Sequence, residues 1–287
     1  MTGHSALATV ETGPSSRLEP TDLAVLRESF DRLEHESLAA RLTGMVGKQV
    51  ELVGSYIPEK ARKVAERATA LALDAAMKVA LRSLDPAQKP SSNLFHKSLA
   101  TASGAAGGAF GFAALPIELP VSTTLILRSI ADIARAEGED IHDPATALAC
   151  MEVFALGGRT EVDDHMESGY FAVRAVLAQS ISEATKYLLH RKVADQAAPA
   201  VVKLIAQIAA RFGIAVSQKA LAQAIPVLGA VGGAAVNYAF IEHFQSIARG
   251  HFAVRRLERV YGQDFIRAEY ERLKVEDDAR AAKAKAI

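Results

Sequence analysis

The chain has 287 residues, with 33 Lys plus Arg against 33 Asp plus Glu, and half of its residues are hydrophobic. This length suits one large domain, and the charge balance argues against the concentrated basic surface that nucleic-acid binding requires. The single cysteine, Cys150, excludes an internal disulfide and suits a reducing compartment.

The first 20 residues are rich in Ser, Thr, Gly and Pro, and they lack the basic and apolar regions of a secretory signal. We interpret residues 1–20 as a disordered tail and expect a cytoplasmic protein. Residues 21–262 are then the folded helical domain, and residues 263–287 form a charged amphipathic helix that frays into solvent.

Apolar residues recur at helical spacing through the chain, and alternating strand-like runs are almost absent. The pattern predicts an all-α fold, a multi-helix bundle. Thr21 is the expected cap of the first helix, and Pro58 is expected to open a helix that ends near Leu84. Later helices are expected over Tyr170–His190, Ala197–Phe212 and Ile225–Tyr261.

Two segments carry no charge: Ser98–Ile117 and Ala220–Ile241. Each has about the length of a membrane-spanning helix, roughly 20 residues. Both are rich in Ala and Gly rather than Leu and Ile, and their small-xxx-small spacing lets helix backbones approach closely. We expect two central, tightly packed helices, and contact with a bilayer or an acyl chain is the open alternative.

The stretch "PIELP" is predicted to break the first of these helices, so that Pro120 starts the next one. Gly138 is the expected C-cap of that helix. Asp143 followed by Pro144 predicts a capped helix start immediately downstream.

Glu118 lies between the two prolines, after the long uncharged run. One interpretation is local, because a carboxylate at a helix N-terminus is stabilised by free N–H groups and by the helix dipole. The other is functional: a partly buried carboxylate that faces a cavity and has a raised pKa.

Further polar residues lie on apolar helices, and with Glu118 they form a candidate cluster. Arg128 and Asp132 are spaced i, i+4 and predict a half-buried ion pair. Glu152 lies in the apolar run "ACMEVFAL", and Asn237 lies in the second uncharged segment. If the two uncharged helices pack together, Asn237 comes near Glu118 or Arg128.

Four arginines follow the second uncharged segment and form a candidate basic face for lipid phosphate or an acidic partner: Arg249, Arg255, Arg256 and Arg259. A solvated helix face interleaved with Glu258 is the alternative. His243 and His251 are eight residues apart and match no metal-ligand spacing, so we expect no metal site. No phosphate-binding loop, dinucleotide fingerprint or nucleophile elbow is found, so no cofactor is expected.

Two long blocks resemble the EcsC protein family: "GFAALPIELPVSTTLILRSIADIARAEGEDIHDPATALACMEVFALGG" and "IPVLGAVGGAAVNYAFIEHFQSIARGHFAVRRLERVYG". Between them, "ESGYFAVR" resembles a short tyrosine–arginine segment of that family. The resemblance covers roughly Leu38 to Tyr261. It implies a bacterial protein linked to an ABC transporter and to secretion, and it carries over no catalytic residue.

Three functions are compatible with these observations. The first is a lipid- or protein-binding protein, located in the cytoplasm or at the inner face of the membrane, with a lipid or membrane-protein partner. The second is a hydrolase on a lipid or peptide-like substrate, using Glu118, Arg128, Asp132 and Glu152. The third is a purely structural interaction module, and the oligomeric state stays open.

Overall fold

The computed structural model describes residues 17–46, 59–84, 114–158, 169–191, 198–223 and 229–285, and all regular structure in these ranges is helical. This confirms the predicted all-α bundle. The helices are α1 (Pro20–Glu34), α2 (Leu38–Val46), α3 (Glu59–Ser83), α4 (Leu115–Ala136), α5 (Pro144–Leu156), α6 (Gly169–Arg191), α7 (Pro199–Gln223), α8 (Gly229–Tyr261) and α9 (Gln263–Lys285).

Two helices occupy the centre of the bundle. Helix α5 packs against α3, α4, α6, α7 and α8, and its residues are buried without a break from Thr146 to Leu156. A helix with apolar residues on all its faces is stable only when other helices cover all of those faces. Helix α5 is covered in this way. Helix α8 is the longest in the described part of the chain, and it contacts α1, α2, α4, α5, α7 and α9.

The structure describes the two uncharged segments to different extents. Residues 98–113 of the first segment lie outside the described residues, as do the expected tail at residues 1–16 and residues 224–228. The second segment supplies the first turns of α8, where Val236, Asn237 and Phe240 are buried.

Some predicted helix boundaries are wrong. Helix α4 begins at Leu115 rather than at Pro120, which lies inside the helix. Pro116 occupies the first turn, where an N–H has no intrahelical partner, so α4 can start before both prolines. Glu19 rather than Thr21 occupies the N-cap position of α1, without a capping hydrogen bond from its side chain, because Pro20 already takes the first helical position. Helix α7 continues past Phe212 to Gln223.

The turn between α4 and α5 follows the prediction. Gly138 has φ 82°, the left-handed conformation that glycine adopts readily, and it closes the end of α4. The Asp143 side chain then accepts a hydrogen bond from the Ala145 N–H at 3.1 Å and caps α5. This turn directs Glu139 back toward α8, which it contacts through Arg255.

The core contains a cluster of phenylalanine rings from α5, α7 and α8: Phe154, Phe212, Phe240 and Phe244. Gly157 and Gly158 end α5 beside this cluster. A β-carbon at Gly157 would overlap the Phe244 ring, and one at Gly158 would overlap the backbone of Arg211. Glycine therefore permits the close approach of α5 to both neighbours.

The last helix is anchored to the first. Helix α1 packs on α8 and α9. The Tyr261 hydroxyl donates to Asp22 at 2.7 Å, and the Tyr270 hydroxyl donates to Glu34 at 3.0 Å. Ile266 and Tyr270 are fully buried. The expectation that this helix frays into solvent is therefore wrong for its first half, because its apolar side chains complete the core.

Candidate functional site

A buried lysine joins three helices. Lys219 of α7 is fully buried, and its ammonium donates to Glu118 Oε1 of α4 at 2.8 Å and to Asn237 Oδ1 of α8 at 2.9 Å. The nitrogen also lies 4.5 Å from the centroid of the Phe240 ring, where the ring face attracts a cation. We call Lys219, Glu118 and Asn237 the Lys219 triad.

The Lys219 triad compensates a charge inside the bundle. Burial lowers the pKa of Lys219, and the Glu118 carboxylate opposes that shift. Only one Glu118 oxygen takes part, since Oε2 is buried and has no hydrogen-bond partner in the described part of the chain. The Lys219 ammonium therefore ties α4, α7 and α8 together through two charge-assisted hydrogen bonds.

A groove of about 580 Å³ opens elsewhere on the bundle, between α5, α6, α8 and α9. Its floor is polar, and half of the α6 residues that line it are apolar. The lining residues are Ala145, Glu152, Phe171, Arg174, Ala175, Ala178, Ile181, Ser182, Thr185, Lys186, Arg255, Glu258, Gln263, Asp264 and Arg267. We call this the Glu152 groove.

Two arginine–glutamate pairs support the floor of the Glu152 groove. Arg174 donates to both oxygens of Glu258, at 2.7 and 3.0 Å. Arg255 donates to both oxygens of Glu139, at 2.9 and 3.1 Å. Although burial opposes it, hydrogen bonding and charge from Arg255 hold the pKa of Glu139 below its usual value. Each arginine is thus engaged in a two-point contact with its own carboxylate.

Glu152 has no such partner. It is almost fully buried on α5, and no described residue donates a hydrogen bond to it. Its Oε2 lies 3.8 Å from Nε2 of His251, which is longer than a hydrogen bond. Burial, with a contribution from Glu258, raises the pKa of Glu152 to about 7, although Arg174 and Arg255 oppose the shift.

A hydrogen-bonded chain lies behind Glu152. Arg174 donates to the Tyr170 hydroxyl at 3.2 Å, and that hydroxyl lies 3.0 Å from Nδ1 of His251. Burial holds the pKa of His251 well below its usual value, and Arg174 and Arg255 lower it further. His251 is therefore neutral at pH 7. Its Nε2 faces Glu152 and has no hydrogen-bond partner among the residues that the structure describes.

The candidate residues from the sequence separate in space. Glu118 and Asn237 both contact Lys219 in the triad, whereas only Glu152 of the five lines the groove. Asp132 is exposed and accepts a hydrogen bond from Arg135 at 3.1 Å. Arg128 is half-buried on α4, ten residues after Glu118. The structure does not gather the five into one cavity.

The four candidate basic residues all lie on α8, and each contacts a carboxylate. Arg249 pairs with Glu242 at 3.3 Å, and Arg255 pairs with Glu139. Arg256 contacts Glu137 at 2.9 Å and Asp22 at 3.5 Å, and Arg259 contacts Glu139. Arg255 is the member of this set that lines the groove.

Sequence reasoning missed several residues of both sites. Lys219 is the one charged residue in an otherwise uncharged stretch of α7, and this pattern could have identified it as a buried lysine that needs a partner. Tyr170 and Arg174 belong to the segment "ESGYFAVR", but nothing in that segment identified their partners. His251, Arg255 and Glu258 are spaced i, i+4 and i+7 along α8, which places them on one helix face.

The sequence model of the EcsC protein family matches residues 15–257, which is most of the chain. The chain belongs to the EcsC protein family. Searches of the curated proteins and of the solved structures find no significant match. In this EcsC protein the matched region includes the Lys219 triad and Glu152, Arg174 and Arg255, whereas the α9 side of the groove lies beyond it.

Two further properties of the EcsC chain concern its chemistry and location. Within the described residues, no group of three or more His, Cys, Asp or Glu side chains could hold a metal ion. One described helix, α7, is long and apolar enough to cross a membrane by length and composition alone, a test that core helices of soluble proteins also pass. Lys219, fully buried, lies within it.

Glu152 gives the EcsC protein a pH-dependent stability. Burial raises the pKa of Glu152 from its ordinary value of 4.5, which applies to the unfolded chain, to about 7 in the folded protein. Between these two pH values the folded protein holds a proton on Glu152 that the unfolded chain has released. The contribution of Glu152 to the free energy of unfolding is greatest below pH 4.5 and is lost as the pH rises through 7. Between pH 5 and pH 8 we expect Glu152→Gln to gain about 2–3 kcal/mol in unfolding free energy relative to wild type.

Urea unfolding of both proteins at several pH values measures this difference. His243 and His251 act in the opposite direction, since their lowered pKa values cost stability as the pH falls below 6.5. They are common to both proteins and cancel in the difference. A constant difference across this pH range would contradict the raised pKa of Glu152.

Proposed function

We propose that this EcsC protein binds an amphipathic ligand in the Glu152 groove, with an anionic head group at the polar floor and hydrocarbon along α6. The ligand is a lipid of the cytoplasmic membrane face, and binding it is the contribution of the protein to transport or secretion. The observation that carries the proposal is the combination, in one groove, of spare positive charge and an apolar wall.

The positive charge comes from four side chains. Arg174, Arg255, Lys186 and Arg267 line the groove, against the carboxyl groups of Glu152, Glu258 and Asp264. Lys186 and Arg267 are exposed, and neither forms an ion pair with a described residue. An anionic head group supplies the counter-charge that these two cations lack.

The apolar wall comes from one face of α6. Phe171, Ala175, Ala178 and Ile181 recur at intervals of four, three and three residues, so they form one stripe along the helix. The stripe is about 15 Å long by helical rise. The two alanines are exposed and small, so the stripe forms a shallow channel rather than a ridge. Such a surface suits an extended acyl chain.

Charge reversal at the rim of the groove tests the proposal. The double variant Lys186→Glu/Arg267→Glu should bind a soluble short-chain phosphatidylglycerol at least tenfold more weakly than wild type. The matched control is Arg280→Glu, which reverses an exposed charge near the far end of α9. Titration calorimetry measures the affinity, and native mass spectrometry detects co-purified lipid. Equal affinity in all three proteins, or no binding by wild type, would overturn the proposal.

A second candidate function is hydrolysis of the bound ligand. The specific observation is Glu152, a buried carboxyl beside neutral His251 at the floor of a groove, which is a setting for general acid–base catalysis. Mass spectrometry of the phospholipid after incubation tests it. Product formed by wild type and abolished in Glu152→Gln would support the hydrolase, whereas intact lipid supports binding alone.

A further inference from the structure

Glu152 is a buried carboxyl of the groove, and no described residue places a hydrogen-bond donor or a cation within hydrogen-bonding distance of it. We propose that Glu152 binds the ligand as a neutral carboxylic acid, donating a hydrogen bond to a singly charged oxyanion of the head group. This inference rests on the proposed function and specifies the ligand chemistry: a phosphodiester or a carboxylate carried on an acyl chain. Binding then requires a proton on Glu152.

The nearby arginines are not available to Glu152. Arg174 is held by both oxygens of Glu258, and Arg255 by both oxygens of Glu139. Because other carboxylates balance the charges of the two arginines, their electrostatic attraction for a negatively charged Glu152 is weak. The nearest nitrogen of the neutral His251 is 3.8 Å away, too far for a hydrogen bond. A buried carboxyl with neither a cation nor a donor within hydrogen-bonding distance is favoured in its neutral form.

The other polar groups around Glu152 also favour its neutral, protonated form. From α6, the Tyr170 hydroxyl is bonded to His251 and Arg174. From α8, His251 is neutral, so it places no positive charge beneath Glu152, and Glu258 adds negative charge. From α9, Asp264 and Arg267 line the outer part of the groove. This environment is consistent with the raised pKa of Glu152.

The protonation state decides whether the floor attracts or repels an anion. As a carboxylate, Glu152 has no hydrogen to offer and repels a negative head group. As a carboxylic acid, Glu152 has one O–H donor and no negative charge. At a pH above 7, binding therefore takes one proton from solvent onto Glu152, and release of the ligand returns it.

Proton-coupled binding has a defined signature. The fraction of Glu152 that carries a proton falls about tenfold between pH 6 and pH 8 for a pKa near 7. Because only the protonated protein is competent, the apparent Kd should rise about tenfold over that interval. The Glu152→Gln variant carries a permanent amide donor, so its Kd should stay constant within about twofold.

The experiment is titration calorimetry at pH 6, 7 and 8 with a soluble short-chain phosphatidylglycerol, and in parallel with decanoate. Both probes keep one negative charge throughout, so the probe itself does not titrate. The matched control is Asp264→Asn, which neutralises another carboxyl of the same groove and should keep the wild-type pH dependence. Whichever probe binds more tightly identifies the head group as a phosphodiester or a carboxylate.

The outcomes separate the two proposals. If wild type binds and the rim charge-reversal variant does not, but Glu152→Gln keeps the tenfold pH dependence, the proton-coupling inference is overturned and the binding function stands. If wild type binds neither probe, the binding function itself fails. Should Glu152→Gln not fold, wild-type titration at pH 8 in two buffers of different ionisation enthalpy counts the protons directly. About one proton taken up per ligand supports the inference, and none overturns it.

Discussion

Replacing Lys219 with methionine is expected to lower the free energy of unfolding by about 3–5 kcal/mol. Methionine fills the volume of the lysine stem but removes the ammonium that bridges Glu118 and Asn237. The Glu118 carboxylate is then left inside the bundle without a cation, and the cost of that uncompensated charge dominates the loss. Urea unfolding at pH 7 measures the difference.

Two variants make this result specific. Lys203→Met removes a lysine from the same helix whose side chain is 51% exposed and lies 3.6 Å from Glu183, and it should change stability by less than about 1 kcal/mol. The double variant Lys219→Met/Glu118→Gln removes both charges and should recover part of the loss. Equal effects of Lys203→Met and Lys219→Met would show that the triad charge is not compensated as described.

Arg174→Met is expected to cost about 3–5 kcal/mol of unfolding free energy, because it breaks a buried two-point ion pair and leaves Glu258 without its cation. It also removes the hydrogen bond to Tyr170 and the stacking of the guanidinium on the Tyr170 and Phe171 rings. Arg174→Lys retains the charge but not the planar fork, so it should fall between wild type and Arg174→Met. Urea unfolding at pH 7 gives the three values.

The control for Arg174 is Arg135→Met on α4. Arg135 pairs with Asp132, and both side chains are more than half exposed, so the variant should cost less than about 1 kcal/mol. If Arg174→Met were as mild as Arg135→Met, the pair on the groove floor would contribute nothing beyond a surface contact. A severe loss that Arg174→Lys largely repairs would assign most of the effect to charge.

The helical architecture was accessible from sequence because its signals are local. Gly138 at the end of α4 and Asp143–Pro144 at the start of α5 are short-range features, and both act as predicted. The start of α4 was misplaced because a proline in the first turn of a helix and a proline that breaks a helix look the same in sequence. Helix α7 continues through Gly213 to Gln223 because the stretch that follows this glycine is rich in Ala, Gln, Lys and Leu, which favour helix.

The candidate sites were only partly accessible. Glu118, Glu152 and Asn237 stood out because polar groups in apolar runs need partners. Their partners lie far away along the chain: Lys219 is 101 residues from Glu118, and Glu258 is 84 residues from Arg174. Helical periodicity gives the face on which a residue lies but not the helix that meets it. The sequence therefore predicted that these buried polar residues have partners, but it did not identify which residues the partners are.

The anchoring of α1 to α8 and α9 has a consequence for biosynthesis. Asp22 and Glu34 meet Tyr261 and Tyr270, each more than 230 residues later in the chain. On the ribosome, the buried stripe of α1 emerges long before the helices that cover it, and the groove gains its Arg267 wall last of all. Nascent chains thus display the apolar face of α1 uncovered through most of synthesis, and this face is a site for aggregation until α8 and α9 have emerged.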